Sequence, residues 1–432
     1  MQSVCNFAGP AAIEQAPGGI VTTTADGSQR LGDDLYDPDG YVDGPPHEVF
    51  ARLRRDDPVH RQEMPDGTAY WAVLRHADVV DVARHPVRFS AATGGVMLED
   101  LDPEQLAMMR EMLLAMDPPR HAEYRRSLSP YFTARVMAGL EPRIRAVCRS
   151  IMVTAAEQSA EDGTLDFVHD VCAPLPAQII GELVGIPEGD RPKLHHWAER
   201  ITGFQDDEVS TAREEDALDG SIQMAMYFIE LAAQRRAEPR EDLLTLTLAC
   251  DFDGRPMDDM GVGSFFVQLV TAGNDTSRTM LSSGLLALLR HPDQLAELRA
   301  DPSLIPGAVE EILRWANPLH YFRRTVTEDT ELGGTHLAAG DKLAMIYTSA
   351  NRDEAVFADP HRFDIHRAPN PHLSFGIAEH FCLGVHLARL EARVFFEELL
   401  ATFPTIELTG DPRRQRSNLN NALKALPVRL AR

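Results

Sequence analysis

The feature that most constrains this fold is a long segment from Met257 to Arg290, which contains the apolar stretches SFFVQLV and LLALLR. Much of the remaining chain repeats its apolar residues every three or four positions, the spacing of amphipathic helices. Short β-rich runs are confined to PVHRQ and TAYWAVL near the start and to TELGG and KLAMIYT after Asp329. Residues 1–35 are rich in small residues, glycine and proline without periodicity, so we predict a loosely structured tail there. No internal repeat or linker interrupts the rest of the chain. Residues 36–432 are predicted to form a single, mainly α domain with a small β-rich region.

The charge and composition of the chain exclude several classes of protein. The 66 acidic residues exceed the 42 lysines and arginines, so the formal charge is −24 and no basic stripe is available to bind nucleic acid. No apolar run approaches the roughly 20 residues that a membrane-spanning helix needs, and the N-terminus lacks a signal-peptide pattern. Five scattered cysteines without metal-type spacing indicate a reducing compartment. We therefore expect a cytoplasmic protein with no membrane or nucleic-acid partner.

Cys382 lies where an irregular loop meets a helical segment, and three functions are open to it. A nucleophile would need a base, but His380 is two positions away and would not face Cys382 on a helix. A zinc ligand would need partner cysteines at finger spacing, which are absent from the sequence. A haem-iron ligand needs only one thiolate presented to a flat macrocycle. Its neighbours favour this third function over that of an ordinary buried cysteine.

The residues around Cys382 suit an iron ligand. The segment that follows it, LGVHLARLEARVFFEELL, predicts a helix whose N-terminal amides and dipole would stabilise a thiolate. Gly384 removes a side chain where backbone would pass close to a ring, and Phe375 and Gly376 form a turn that can cover the sulfur.

This pattern resembles the haem-binding loop of the cytochrome P450 monooxygenases. The corresponding positions in this chain are Phe375, Gly376, Ala378, His380, Cys382 and Gly384. The resemblance implies that Cys382 is the axial ligand of the iron of haem b. Ala378 departs from the family because a second glycine is usual there. If this position requires a positive φ, alanine costs about 1 kcal/mol.

A second motif, AGNDTS, lies within the long helical segment. Gly273 and Thr276 are three residues apart and share a helix face. Glycine leaves space where O2 could bind, and the threonine hydroxyl can compete for a helix hydrogen bond and widen a groove. The motif resembles the family's acid–alcohol pair, which implies that Asp275 and Thr276 relay protons beside Ala272 and Gly273.

Two further motifs resemble structural and cofactor-binding elements of the family. Glu311 and Arg314 resemble its E-x-x-R ion pair, and the resemblance assigns the third position of this network to Arg362 of PHRF. The segment HAEYR resembles the clamp that binds the haem propionates. By resemblance, His121, Arg125, Arg324 and His380 would contact these propionates, with Arg323 as a substitute for Arg324.

The resemblance covers residues 40 to 432 and implies the triangular-prism fold of the family. It implies that O2 is activated with NAD(P)H-derived electrons and that one oxygen atom enters an apolar substrate. The segment AGNDTSR resembles the variant found in bacterial terpene and sterol oxidisers, which suggests a terpenoid or steroid-like substrate. The substrate contacts implied by the resemblance include Met97, Leu269, Leu319 and Leu419.

The sequence contains no flavin or ferredoxin module, so we expect electrons from a separate ferredoxin-type donor with its NAD(P)H-dependent reductase. A locally basic face near Cys382 would steer an acidic donor, and its cations are Arg362, Arg367, Arg389 and Arg393. The alternatives are a peroxide-driven haem-thiolate oxidase, a non-catalytic haem sensor and a metal-free helical interaction protein. The intact Asp275 and Thr276 argue against the first of these.

Overall fold

A single long helix from Asp259 to Arg290 passes through the centre of the helical region. We describe residues 34–209, 214–252 and 254–431 from a computed structural model. The helix begins where the side chain of Asp258 accepts a hydrogen bond from the N–H of Gly261. It ends before Pro292, which cannot donate a helical hydrogen bond and starts the next helix. At about 1.5 Å per residue it spans about 48 Å, and most of its residues are buried.

Helices make up most of the described chain. The α-helices are α1 (His47–Asp56), α2 (His76–Arg84), α3 (Pro103–Met109), α4 (Arg120–Leu128), α5 (Ala134–Ala138), α6 (Glu141–Asp162), α7 (Pro174–Val184), α8 (Arg191–Thr202), α9 (Glu214–Ala237), α10 (Leu243–Leu248), α11 (Asp259–Arg290), α12 (Pro292–Ala300), α13 (Ile305–Ala316), α14 (Tyr347–Ala350) and α15 (Val385–Thr402). Short 3-10 helices cover Pro38–Tyr41, Leu113–Ala115, Ser129–Phe132, Glu188–Asp190, Pro302–Leu304 and Ala378–His380, and Phe167–Cys172 is a π-helix.

The strands form small sheets. They are β1 (Val59–Glu63), β2 (Ala69–Val73), β3 (Phe89–Ser90), β4 (Leu165–Asp166), β5 (Tyr321–Val326), β6 (Thr330–Leu332), β7 (Thr335–Leu337), β8 (Lys342–Ile346), β9 (Thr405–Leu408), β10 (Arg413–Arg414), β11 (Leu423–Ala425) and β12 (Pro427–Ala431). The largest sheet has the order β1-β2-β8-β5-β3, in which β2 and β8 run parallel and the other pairs antiparallel. The smaller sheets are β4-β12-β9, β6-β7 and β10-β11.

The core surrounds α11, which packs against α7, α8, α9, α13 and α15. Gly284 explains one close approach, because a Cβ there would lie 2.8 Å from Cγ2 of Ile312 and 2.9 Å from Cζ of Phe396. The glycine therefore lets α13 and α15 approach the same turn of α11. Phe395 and Phe396 of α15 are buried in this core, which also includes Leu281 and Leu285 of α11.

The predicted mainly α fold with a small β-rich region is confirmed, and the four predicted β-rich runs correspond to strands β1, β2, β6 and β8. One helical pattern extends less far than the sequence indicates. The run EQLAMMREMLLAM is helical only as far as Met109 and then turns into a short 3-10 helix. Residues Leu35–Arg432 form one compact unit, whereas nearly all of the predicted tail lies outside the described residues. No helix in the described ranges has the length and apolarity needed to cross a membrane.

Candidate functional site

The loop before α15 holds Cys382 in a tight turn. Gly376 and Ala378 both have a positive φ, of 67° and 59°. The backbone N–H of Cys382 donates a hydrogen bond of 2.8 Å to the carbonyl oxygen of Phe375, which closes the turn around the intervening residues. The left-handed conformation of Ala378 explains why glycine is usual at this position and why alanine is strained there. The loop nevertheless closes with alanine.

Cys382 borders an internal cleft and is partly buried beneath the loop surface. Burial raises the pKa of its thiol, whereas the N–H of Gly384 and the charges of Arg125 and Arg389 act in the opposite direction. The helix α15 begins at Val385, three residues later, so its N-terminus lies beside the sulfur. The other cysteines of the described chain do not border the cleft. Cys382 is therefore the thiol available to a ligand bound there.

The cleft lies between α11 and the Cys382 loop and, with its open mouth, encloses about 1650 Å³. Its lining contains Gly273 and Thr276, which were predicted to share a helix face beside O2, together with Ala272. Thr276 donates a hydrogen bond of 2.6 Å from its hydroxyl to the carbonyl oxygen of Ala272. The threonine hydroxyl thus forms a hydrogen bond with a backbone carbonyl of the helix at the cleft wall, as the sequence motif predicts.

Four basic side chains, which we call the basic cluster, converge on the cleft from different elements. They are His121 and Arg125 of α4, Arg324 of β5 and His380 of the loop. The rings of His121 and His380 lie 4.4 Å apart. Burial and the charges of Arg125 and Arg324 lower the pKa of His121 to about 4. Burial, followed by the charges of Arg324, His121 and Arg125, lowers the pKa of His380 to about 2.

The basic cluster fits the two carboxylates of haem. None of its four members forms an ion pair with a carboxylate of the described chain, and the buried Nε2 atom of His380 has no hydrogen-bond partner there. The permanent cations of the cluster, Arg125 and Arg324, have no counterion in the described chain, which is unfavourable away from water. The cluster therefore favours an anionic ligand. Arg323 is excluded from this role because it is bound to Asp100, at 2.9 Å, and to carbonyl groups outside the cleft.

The side chain of Asp275 points in a different direction from that of Thr276, its neighbour on α11. Its carboxylate is paired at 2.9 Å with Arg278, which also binds Glu199 of α8 at 2.8 Å. Asp275 does not appear in the lining of the cleft. The structure therefore places the two residues of the predicted relay on the same turn, with the acid held on the α8 side of the helix.

The network that supports the Cys382 loop corrects one sequence prediction. Glu311 and Arg314 are fully buried and form a bidentate pair with two contacts of 2.7 Å. The third side chain is Arg367, whose Nε atom lies 3.2 Å from Glu311, and not Arg362. The side chain of Arg362 is exposed, and the residue contributes only its carbonyl oxygen, which accepts hydrogen bonds from Arg314 and Arg367.

The apolar wall of the cleft includes two of the four predicted substrate contacts. Leu269 and Leu319 line it, whereas Met97 and Leu419 do not and pack instead in a core cluster beside the large sheet. Gln268 also lines the cleft and was not expected there, although it is the single polar residue inside the apolar run FFVQLV. Leu113, Leu114 and Phe322 also line the wall, as do Ile180 and Phe265, which the sequence did not indicate.

The basic face predicted near Cys382 is largely neutralised by acidic residues from other elements. Arg389 binds Glu310 of α13 at 2.7 Å, and Arg393 is paired with Glu141 of α6. Arg367 is engaged in the buried network described above. Only Arg362 of the four predicted arginines has no ion pair within the described chain. Three of the four arginines of the predicted locally basic face are therefore paired with carboxylates.

Comparison with known proteins identifies the family to which this arrangement belongs. The family model described as cytochrome P450 matches residues 210–430. The methyl-branched lipid omega-hydroxylase of Mycobacterium tuberculosis is 40% identical over 388 residues, which are 88% of this chain and 90% of that protein. The steroid C26-monooxygenase of Mycolicibacterium smegmatis is 37% identical, covering 88% and 89%. The linalool 8-monooxygenase of Pseudomonas putida is 36% identical, covering 91% and 98%.

Solved structures agree with the sequence comparisons. The cytochrome P450 CYP268A2 of Mycobacterium marinum, in complex with pseudoionone, superposes with a TM-score of 0.81 at 37% identity and covers 88% of this chain and 94% of its own. Proteins of this family bind haem b, use O2 and an electron-transfer partner, and act on lipophilic substrates. The chain belongs to the cytochrome P450 family and is an oxidoreductase of the monooxygenase type with haem b as its cofactor.

Proposed function

We propose that this enzyme hydroxylates an elongated lipophilic molecule of terpenoid or steroid-like skeleton, with electrons from a separate ferredoxin and its NAD(P)H-dependent reductase. The observation that carries the proposal is the apolar wall that meets Thr276, built from Leu113, Phe265, Leu269 and Leu319. Such a wall favours a hydrocarbon skeleton because each buried apolar group adds binding free energy. Bound haem supplies the activation of O2.

The protein's own residues would hold the cofactor from two sides. The thiolate of Cys382 would bind the iron, and the basic cluster would bind the propionates. Arg125 and Arg324 support this assignment because they have no carboxylate partner among the described residues, and the buried Nε2 atom of His380 has no hydrogen-bond partner there. Gly384 adds support, since no described atom lies within 4 Å of a Cβ built on it and the loop leaves space beside the sulfur.

The proton relay would run through Asp275 and Thr276. The Thr276 hydroxyl can exchange its bond to Ala272 for one to water at the cleft wall. Asp275 can carry a proton from the α8 side only when its carboxylate leaves Arg278, which has Glu199 as a second acidic partner. Arg278 would therefore act as a positioning residue that holds Asp275 outside the cleft between turnovers.

The electron donor would dock over the Cys382 loop. Ala378 and Glu379 are exposed and Phe381 is 36% exposed, so the loop that carries Cys382 forms the surface of the molecule there. A donor seated on this loop would be separated from Cys382 by only one layer of chain. The neutralised arginines of this face make charge steering weak, so we expect the association rate to depend only modestly on ionic strength.

Reconstitution tests this function and separates it from a peroxide-driven oxidase. The haem-loaded enzyme is incubated with linalool, a steroid or a methyl-branched fatty acid, the compound types named in its relatives, either with ferredoxin, reductase and NADPH or with hydrogen peroxide. We expect hydroxylated product with the electron-transfer proteins for at least one compound. Efficient turnover with peroxide but none with the ferredoxin system would support the alternative.

A further inference from the structure

The apolar half of the cleft contains one polar side chain that the mechanism leaves unused. Gln268 lies on α11 among Phe265, Leu269 and Leu114 of the lining. The other polar lining residues belong to the basic cluster, to the Thr276 turn, or to the region around Cys382 and the end of β8. Gln268 stands apart from these groups, two turns before Thr276.

The hydrogen bonding of Gln268 is incomplete. Its Oε1 atom accepts a long hydrogen bond of 3.4 Å from the backbone N–H of Leu114. Because an N–H group bonds only to an acceptor, this contact assigns the oxygen and nitrogen of the side-chain amide. Its Nε2 atom has no hydrogen-bond partner in the part of the chain that the structure describes. Two amide N–H donors are therefore available to whatever fills the apolar half of the cleft.

An amide without a partner is unfavourable once a ligand displaces water from it. A purely hydrocarbon ligand would leave the Nε2 donors unsatisfied, whereas a ligand with an oxygen acceptor at that position would satisfy one of them. The charged lining residues are assigned to the haem propionates or lie on α15, and none is available to neutralise a substrate carboxylate beside Gln268. An uncharged acceptor fits this chemistry best.

We propose that Gln268 is a specificity-determining residue that donates a hydrogen bond to a ketone, hydroxyl or ether oxygen of the substrate. This inference rests on the proposed function and extends it. Eight residues separate Gln268 from Thr276, about 12 Å along the helix axis. The substrate is then a long molecule with an uncharged oxygen at one end. Because the carbon beside Gly273 and Thr276 is the one that reacts, oxidation takes place about 12 Å away, at the apolar end of the molecule.

A matched pair of probes tests this inference by binding rather than by turnover. Undecan-2-one and n-undecane, delivered in cyclodextrin, are titrated into the haem-loaded enzyme, and the dissociation constants are measured from the haem spin-state shift. We expect the ketone to bind about three to ten times more tightly than the alkane in the wild type, the usual value of one hydrogen bond. In Gln268→Leu this preference should disappear while the affinity for the alkane is kept or improved.

The wild-type comparison keeps the inference testable even if Gln268→Leu folds poorly, and Gln268→Met provides a second apolar variant. Leu269→Val serves as the matched control, because it changes a neighbouring wall residue without changing its hydrogen-bonding capacity and should retain the preference for the ketone. Equal affinity for both probes in the wild type would overturn the role of Gln268 and leave the proposed function standing. Binding of neither probe would overturn the lipophilic substrate class and the inference with it.

Discussion

At the scale of single residues, Cys382 is distinguished from the other cysteines by its surroundings. Cys148 is buried in the helical core, where burial and the nearby carboxylates raise the pKa of its thiol to about 12. We expect the reduced wild type with carbon monoxide to show the strongly red-shifted Soret band of a thiolate-bound haem. Cys382→Ala should lose this band and Cys148→Ala should keep it. A normal band in Cys382→Ala would refute the ligand assignment.

A second residue-scale prediction concerns Ala378, whose φ of 59° lies in the left-handed region. Glycine has no Cβ and adopts this conformation without strain, so Ala378→Gly should raise the free energy of unfolding by about 1 kcal/mol. Ala233 is exposed within α9, and Ala233→Gly should lower the free energy of unfolding by about 1 kcal/mol because glycine is unfavourable in helices. Urea unfolding of both variants measures the two changes. If Ala378→Gly and Ala233→Gly lowered the free energy of unfolding by the same amount, the loop at Ala378 would not be strained.

At the scale of elements, α11 brings Thr276 to the cleft and holds Asp275 away from it. Thr276→Ala should still bind haem and substrate and consume NADPH, but it should release hydrogen peroxide because the hydroxyl no longer positions protons at the cleft wall. Asp275→Asn should instead slow O2 consumption, since it removes the ionisable group. The measurement is the ratio of product to NADPH consumed, with peroxide assayed alongside. Unchanged coupling in Thr276→Ala would remove this relay from the mechanism.

The network around Glu311 joins α13 to the irregular chain before the Cys382 loop, and it provides a matched pair of variants. Arg367→Ala removes a largely buried cation from Glu311, which should lower the free energy of unfolding by about 2 to 4 kcal/mol and reduce haem content. Arg362→Ala removes an exposed side chain and should change the free energy of unfolding by less than about 0.5 kcal/mol. Denaturant unfolding and haem absorbance compare the two variants. The reverse ranking would support the assignment made from sequence.

At the scale of the whole molecule, buried titratable groups make stability depend on pH. His320 is 1% exposed, and burial together with the charge of Arg414 lowers its pKa from 6.5 to about 3. Between these pH values the unfolded chain binds a proton that the folded chain does not. The contribution of His320 to stability is therefore present above pH 6.5 and is lost as the pH falls towards 3, by up to about 1.4 kcal/mol per pH unit.

Burial raises the pKa of Glu391 to about 8, so this residue makes stability increase as the pH falls, opposite to His320. Comparing the wild type with a His320 variant isolates the contribution of His320. His320→Asn should lose less stability than the wild type when the pH is lowered from about 7 to about 5. The exposed His336 of β7, which forms no ion pair within the described chain, provides the control, since His336→Asn should follow the wild type. Urea unfolding at both pH values gives the difference. Parallel pH profiles for the wild type and His320→Asn would contradict the assignment.

The sequence by itself determined the features that depend on local spacing. The long helix α11, the turn before α15 and the pairing of Glu311 with Arg314 each involve residues close together in the chain, whose geometry follows from helix periodicity and loop conformation. The Cys382 loop was recognisable for the same reason, and the left-handed conformation that Ala378 adopts agrees with the glycine that usually stands there.

The tertiary structure alone decided which distant side chains meet. Arg367 and not Arg362 reaches Glu311 because the path of an irregular chain, rather than a periodic pattern, sets the direction of each side chain. Glu310 and Glu141 neutralise arginines that are 79 and 252 positions away in sequence. Leu269 and Leu319 line the cleft, whereas Met97 and Leu419 pack in a core. Burial against another element and burial against a ligand favour the same apolar residue types, so residue type does not separate the two cases. Spacing along the chain contains no information on that choice, which only the packing of distant elements determines.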